Sequence, residues 1–168
     1  MRLMLIPFLI AAVAMPALAA DPKPEIERPT GKAQADGAAH SLRTIPEACA
    51  RLEGRFTGNA ESEYDFKVVR TSAGCQARAR FVDPDAGPAT ADGWILNDVI
   101  TVPRAECPSR QAVVKVWRKP GQATTPELDA QGRARIYLGD STEAAKAKRL
   151  PKVDVYAAEV ALTGQACG

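Results

Sequence analysis

The sequence predicts a strand-rich α+β domain whose core is an antiparallel sheet or a partly closed barrel. Three observations support this class. Apolar and polar residues alternate along much of the chain after residue 63, several of the joints between these stretches are short, and four cysteines are present. Alternation with a period of two is typical of half-buried strands, and hairpin-length joints favour antiparallel pairing. The pattern predicts about six strands with two short helices.

The first predicted element is a short helix that begins near Thr44. Residues 44–47 (TIPE) match the capping-box pattern, in which a hydroxyl and a carboxylate satisfy backbone N–H groups that a helix start leaves free. Apolar residues recur at helical spacing over 45–52, and Gly54 is a residue that commonly ends a helix. We therefore expect a helix with one apolar face, and that face includes Cys49.

Six stretches with strand character follow this helix. They cover residues 64–68, 76–81, 94–102, 112–117, 133–138 and 153–162. Asn97-Asp98 interrupts the third stretch, either as a bulge or as a tight turn. A second helix is predicted from Asp140 to Leu150, because acidic residues stand at its start, basic residues stand at its end, and Pro151 follows it.

Residues 1–19 have the parts of an export signal. Arg2 is positively charged, residues 3–14 form a short apolar run, and residues 17–19 (ALA) match a signal-peptidase site. We expect the mature chain to begin at Ala20 and to reach the periplasm or, alternatively, the medium outside the cell. No other apolar run has the ~20 residues of a membrane helix, so a soluble mature protein without a transmembrane segment is expected.

The segment after the signal, residues 20–40, is predicted to be a disordered linker, and residues 41–168 are predicted to form the disulfide-stabilised domain. Residues 21–40 contain three prolines, two glycines and seven charged side chains, but Ile26 is their one large apolar residue. Such a composition buries too little apolar surface to offset the entropy lost on ordering.

Export would place the four cysteines in an oxidising compartment, where an even number predicts disulfides. If the six strands formed a simple up-and-down meander, strand parity would bring Cys75 to the same end as Cys107. The same parity would bring Cys167 close to Cys49. The predicted bridges are therefore Cys75–Cys107 and Cys49–Cys167.

Several chemistries are not expected from the residue types present. The single histidine, His40, lies in the predicted linker, so neither a serine nor a cysteine catalytic triad is expected. The cysteines lack the close pairs of zinc sites, and Asp83, Asp85 and Asp92 lack the remaining ligands of a calcium loop. No phosphate loop or dinucleotide fingerprint occurs, so no cofactor and no metal are predicted.

The charge balance also argues against a nucleic-acid partner. Without Arg2 the mature chain keeps 21 basic and 20 acidic side chains. A net charge this close to zero provides no long-range field that would steer the chain to nucleic acid.

Two sets of residues remain as candidates for a site. Asp98 is the candidate acid or base, since a regular strand would direct it to the Trp94 and Ile100 face, whereas a bulge at Asn97 would turn it outward. Basic side chains on alternating strand positions, together with one tryptophan, predict a cationic binding face on the outer side of the sheet. Its members are Arg78, Arg80, Lys115, Trp117, Arg133 and Arg135.

The function we expect from these observations is that of a non-catalytic, exported binding or inhibitor-like domain. Its partner would be an envelope protein or a cell-wall polymer, and the sequence leaves the oligomeric state open. A mixed basic and apolar face is a plausible contact surface for such a partner. Two alternatives stay open: a carboxylate-based envelope hydrolase that uses Asp98, and a purely structural envelope component.

Overall fold

Two β-sheets form the core of the protein. The computed structural model describes residues 22–82, 87–122, 130–131, 142–144, 146–148 and 152–167. The small sheet has the order β1-β2-β3 and the large sheet the order β4-β7-β6-β5. The strands are β1 (His40–Ile45), β2 (Ala50–Phe56), β3 (Tyr64–Arg70), β4 (Arg80–Phe81), β5 (Ile95–Arg104), β6 (Cys107–Lys119) and β7 (Val155–Thr163). Neighbouring strands are antiparallel except β4 and β7, which are parallel.

The main hydrophobic core lies between the inner faces of the two sheets. Because side chains alternate along a strand, every second residue of β2 and β6 points into this space. The small sheet contributes Leu42, Ile45, Leu52 and Phe56, and the large sheet contributes Ile100, Val102, Val114, Val116 and Tyr156. The strand-rich class and the antiparallel pairing predicted from the sequence are therefore confirmed. Closure into a barrel is wrong, because the described strands form two separate sheets.

A second apolar cluster occupies the outer face of the large sheet, around Trp94, Leu96, Trp117 and Ala157. A bulge makes this arrangement possible. The pairing of β5 with β6 shifts register between Leu96 and Asp98, and the extra residue changes the side to which the strand's side chains point. Leu96 therefore packs on the outer face, while Asp98 points inward on the face of Ile100. The bulge buries Asp98 and does not turn it outward.

The first predicted helix is wrong. Residues 40–56 form a β-hairpin, in which a 3-10 turn at Pro46–Ala48 connects β1 to β2. Leu52, Gly54 and Phe56 alternate with charged residues, and this period of two, which continues past the capping-box pattern, matches the observed β2. Of the second predicted helix, residues 142–144 and 146 are helical. A further 3-10 turn covers Thr90–Asp92.

Both predicted disulfide pairings are wrong, although the prediction of two disulfides is confirmed. The bridges are Cys49–Cys75 and Cys107–Cys167. The meander assumption fails because the chain completes a separate sheet before it enters the large one. Cys49 precedes β2 at the end where β3 finishes, so the turn after β3 returns Cys75 to it. Cys107 and Cys167 continue the register of the β6–β7 ladder beyond its last pair.

Residues 22–39, which we call the strap, run along the free edge of β5. The N–H groups of Glu25, Ile26, Gly31 and Gln34 donate to carbonyls of β5 at 2.8–2.9 Å. The sequence predicts a disordered linker here because apolar residues are scarce. Backbone hydrogen bonds to an edge strand, which hydropathy does not reveal, give the segment its course.

Several sequence predictions concern residues outside the described ranges. These are the export signal and the whole fifth predicted strand at 133–138, which includes Arg133 and Arg135. Among the described residues, no helix is long and apolar enough to cross a membrane.

Candidate functional site

Arg80, Lys115 and Trp117 lie on the outer face of the large sheet, the face on which the sequence predicts a binding surface. Arg80 pairs with Val155 of β7, and Val155 pairs with Lys119 of β6. Residues paired across neighbouring strands point to the same side of a sheet. Arg80 and Lys119 therefore flank Val155 on one face, two strand spacings or roughly 10 Å apart.

A cleft of about 490 Å³ opens at this end of the sheet, and we call it the basic cleft. Its lining residues are Arg80, Lys119, Pro120, Lys152, Val153 and Val155. Three of them are cationic and none carries a carboxylate. Among the described residues, none of these three cations forms an ion pair.

The acid nearest to the basic cleft in sequence, Asp154, has other partners. One of its carboxylate oxygens accepts a hydrogen bond from the Gly121 N–H at 2.6 Å, and the other lies 3.6 Å from an Arg118 nitrogen. Gly121 is needed for this contact, because a Cβ there would stand 2.1 Å from the Lys152 carbonyl oxygen. The close approach of the two chain segments thus occupies Asp154, and within the described residues the three cations have no carboxylate partner.

The tryptophans stabilise this face and do not form its exposed surface. The Lys119 ammonium lies 5.9 Å from the centroid of Trp94, within the range of a cation–π interaction. Trp117 is only 6% exposed, and its indole N–H donates to Glu159 at 3.1 Å. Lys115 stands directly opposite Glu159 across the β6–β7 pair.

Of the predicted binding residues, the structure brings Arg80 into the cleft. Arg78 is exposed just before β4 and forms no ion pair within the described residues. The sequence interpretation did not include Lys119 or Lys152. Lys119 continues the period of two through Lys115 and Trp117, so parity was a usable signal for it. No sequence pattern pointed to Lys152, which reaches the cleft through the approach of its segment to Gly121.

Asp98 is held in a buried ion cluster between the two sheets and the strap. Arg28 Nε donates to both Asp98 oxygens at 2.9 Å, and Arg43 Nη1 lies 3.2 Å from Oδ2. The Asp98 side chain is fully buried. Both of its oxygens are thus occupied by guanidinium groups that come from the strap and from β1. The Asp98 carboxylate therefore connects β5 to the strap and to β1.

The hydrogen-bond network extends from this cluster to the start of the strap. Arg43 Nη1 donates to Asn97 Oδ1 at 2.6 Å, and Asn97 donates to Glu25 at 2.7 Å. Arg118 also donates to Glu25, and this hydrogen bond is the main reason that the pKa of Glu25 lies below its ordinary value. Burial lowers the pKa of Arg43, and the Asp98 charge opposes that shift.

His40 has an ordered environment, unlike the one expected for a linker. It begins β1, and its Nε2 lies 2.9 Å from the Tyr64 hydroxyl oxygen. Burial lowers the pKa of His40 and raises the pKa of Tyr64. Gly54 makes room for this pair, since a Cβ at that position would stand 1.8 Å from the Tyr64 hydroxyl.

No protein-family model, curated protein or solved structure matches this chain. Within the described ranges, no group of three or more histidine, cysteine, aspartate or glutamate side chains is placed to hold a metal ion. A function for this chain therefore rests on its own geometry, in which three cations without an ion pair among the described residues line the basic cleft.

Proposed function

We propose that the protein is a non-catalytic exported binding domain and that the basic cleft holds an anionic group of its ligand. The observation that supports this proposal most strongly is the gathering of Arg80, Lys119 and Lys152 around one cleft whose described lining residues include no carboxylate. The two disulfides are compatible with an exported protein. An acidic envelope protein or an anionic cell-wall polymer has the required charge.

The cleft combines the two properties that a ligand site needs. Three like charges around one space repel one another, and a bound anion would relieve that repulsion. The Arg80 guanidinium has the planar fork that binds a carboxylate or a phosphate with two hydrogen bonds. Pro120, Val153 and Val155 supply apolar walls, so the cleft resembles small-ligand sites, in which a few polar groups orient a ligand against apolar residues.

The test is a titration of the oxidised mature protein with poly-L-glutamate and, separately, with polyphosphate. The variant is Arg80→Glu/Lys119→Glu, which reverses two of the three cleft charges. Loss of hydrogen bonds to charged groups predicts at least about tenfold weaker binding of the anion. The matched control is Lys32→Glu/Arg78→Glu, which makes the same change of net charge at exposed residues outside the cleft lining.

Binding that survives in the control and is lost in the cleft variant supports the proposal. Equal weakening of binding in both variants would mean that the anions respond to overall charge, and it would reject the cleft as a site. Absence of binding to the unaltered protein at low ionic strength would reject it as well.

A further inference from the structure

Besides the basic cleft, the flank of the sandwich opposite the strap has features of a binding surface. β1 and β5 lie on the same flank, because Arg43 of β1 contacts Asp98 of β5. β3 and β7 therefore share the other flank, which we call the open flank. β3 is the last strand of the small sheet, and β4 pairs with β7 only at Val155 and Tyr156. Within the described part of the chain, β3 is therefore a sheet edge along its whole length, and β7 is a sheet edge beyond Tyr156.

The backbone of β3 has a regular set of groups that face this edge. Thr57 donates to Glu63 just before β3, and Thr71 donates to Cys49 just after it. In an antiparallel pair, alternate residues bond to the partner strand. The odd-numbered residues of β3 therefore bond to β2. The N–H and C=O groups of Tyr64, Phe66, Val68 and Arg70 point to the free edge.

The side chains on this flank are apolar and accessible. Val68 of β3 is 38% exposed and Val160 of β7 is 36% exposed, and these are the exposed large hydrophobic residues of the described chain. Phe66 and Leu162 lie beside them and are only partly buried against the core. An edge strand with accessible apolar side chains is a template for pairing with another extended chain.

Positive charge is present at one end of the open flank. A cavity of about 360 Å³ lies between β3 and β4, with Val68, Ala79 and Phe81 among its apolar lining residues and Arg70 and Arg80 among its charged ones. Arg70 donates to backbone carbonyls of the following turn and to no carboxylate within the described residues. Because Arg80 also lines the basic cleft, the cavity and the cleft adjoin at this residue.

We propose that β3 accepts an extended segment of an acidic protein partner as an added strand, with acidic side chains of that segment at Arg70 and Arg80. The backbone groups of alternate β3 residues recur every ~6.8 Å, which a polypeptide strand matches and a sugar or phosphate polymer does not. The acidic character of the partner depends on the proposed function of the basic cleft, whereas the added strand depends only on the β3 edge.

In the register that overlaps β3 over its full length, Tyr64–Arg70, a second copy of this chain is a poorer occupant than an acidic partner. An antiparallel β3–β3 pair centred on Lys67 would place two lysines directly opposite each other, which destabilises strand pairing. In that pair Arg70 of each copy would lie opposite Tyr64 of the other and would gain no directly opposite carboxylate. A heterologous acidic segment avoids the repulsion between the lysines and places acidic side chains at Arg70.

The probe for this proposal is an acetylated peptide amide, Glu-Glu-Thr-Val-Thr-Val-Thr-Val-Thr, added to isotope-labelled oxidised protein. The measurement is amide hydrogen exchange by NMR. Strand addition predicts at least about tenfold slower exchange at Phe66, Val68 and Arg70, whose N–H groups face the edge, with little change at Lys67 and Val69. In two further peptides, alternate residues are N-methylated. One peptide is methylated on the residues whose N–H groups face one edge of the strand, and the other peptide is methylated on the residues that face the opposite edge. Only one of the two should still bind.

Two variants separate the added strand from the charge contact. Val68→Pro removes an edge-facing N–H and leaves the bonds to β2 in place, so it should abolish binding, whereas Val68→Thr keeps the N–H and should retain it. Thermal unfolding of both variants checks that the fold persists. If Val68→Pro does not fold, the comparison between the two N-methylated peptides decides in its place.

Protection at β3 that is lost when Glu-Glu is replaced by Lys-Lys supports the whole proposal. Chemical-shift changes confined to Arg80, Lys119 and Lys152 would overturn strand addition and leave the cleft proposal standing. Equal protection by the acidic and basic peptides would overturn the acidic partner and, with it, the cleft's role in this complex. No change in exchange or in shifts would overturn the inference.

Discussion

The two flanks of the sandwich differ in how a sheet edge is treated: a chain segment covers the edge on one flank, and the edges on the other flank are open within the described chain. On one flank the strap lies along β5 and is fixed by Arg28 to the buried Asp98. On the other flank β3 and most of β7 have no strand on their outer side in the described chain. Proteins normally keep such edges short, place charges on them or cover them, because an open edge can pair with another chain.

The difference separates a flank whose polar groups are paired within the fold from a flank whose charged and apolar groups stay accessible. On the strap flank, the side chains of Asp98, Asn97 and Glu25 all have hydrogen-bond partners within the protein at 3.2 Å or less. At the open flank, Arg70 and Arg80 have no carboxylate partner within the described residues, and Val68 is accessible. We therefore expect changes on the strap flank to alter stability and changes on the open flank to alter binding.

The largest expected effects come from the disulfides, one of which borders the open flank. Cys49 lines the cavity beside Val68, whereas Cys107–Cys167 connects two strands of the large sheet. In the chain-entropy model, replacing either pair by serine lowers the free energy of unfolding by about 3–4 kcal/mol. Urea unfolding measures this loss.

The two disulfide variants should differ in where the structure loosens. Amide exchange in β3 should rise in Cys49→Ser/Cys75→Ser and should rise much less in Cys107→Ser/Cys167→Ser. Exchange at the Glu25 and Ile26 amides is the internal reference, because these amides bond to Leu96 and Asn97, whereas the later part of the strap bonds to Ala105 and Glu106 next to Cys107. Equal loosening of the strap and β3 would show that the flanks are not independent.

The next effect tests the strap flank itself. Asp98→Asn removes the charge that Arg28 and Arg43 share, and leaving buried partners uncompensated predicts a loss of about 3 kcal/mol. The matched control is Asp65→Asn on β3, where the pair with Arg55 is half-exposed. An exposed pair contributes at most about 1 kcal/mol, so the control should unfold nearly as the unaltered protein does. Similar losses in both variants would contradict the contrast between the flanks.

A smaller effect is expected from acid, and it should act on the strap first. Hydrogen bonds from Arg118 to Glu25 and from Arg104 to Asp36 hold the pKa of each carboxyl below its ordinary value. A lowered folded-state pKa stabilises the fold above the ordinary values, 4.5 and 3.8, and that stabilisation is lost as pH falls through the folded-state pKa. Strap amides should therefore lose protection below about pH 4.

Glu25→Gln provides the test of this acid effect at neutral pH. Because Glu25 is about a third exposed, its loss should cost less than about 1 kcal/mol, yet it should raise exchange at the Ile26 amide. Glu27→Gln is the control, since Glu27 pairs only with the exposed Lys23 among described residues. Strap amides whose protection does not fall anywhere between pH 5 and pH 2 would refute the electrostatic account of the strap's attachment.

The sequence predicted the strands that have one regularly buried face, and it missed those whose pattern was ambiguous. Alternation placed β3, β5, β6 and β7 within a few residues of their observed ends, apart from the start of β6. It missed the β1–β2 hairpin because the apolar residues of 45–52 fit a helical period as well as a strand. The strap was missed because backbone hydrogen bonds to a neighbouring edge leave no trace in hydropathy.

The candidate site was predictable to a similar extent. Strand parity correctly indicated that Arg80, Lys115 and Trp117 share one face, because parity depends only on local alternation. It failed for the disulfides, because their pairing depends on which strands share a sheet. Lys152 joins the cleft through a contact between distant segments, which a single sequence does not encode in any local pattern.

The smallest expected effect on stability belongs to the open flank and tests whether it is accessible in solution. Val68→Thr exchanges a methyl group for a hydroxyl on a half-exposed edge strand, so the free energy of unfolding should change by less than about 0.5 kcal/mol. The same exchange at Val114, which is fully buried in β6, places a hydroxyl in the core and should cost about 1–3 kcal/mol. A loss above about 1 kcal/mol at Val68 would mean that something covers this flank. Dependence of that loss on protein concentration would identify the cover as a second copy, whereas a negligible loss leaves β3 free to pair with another chain.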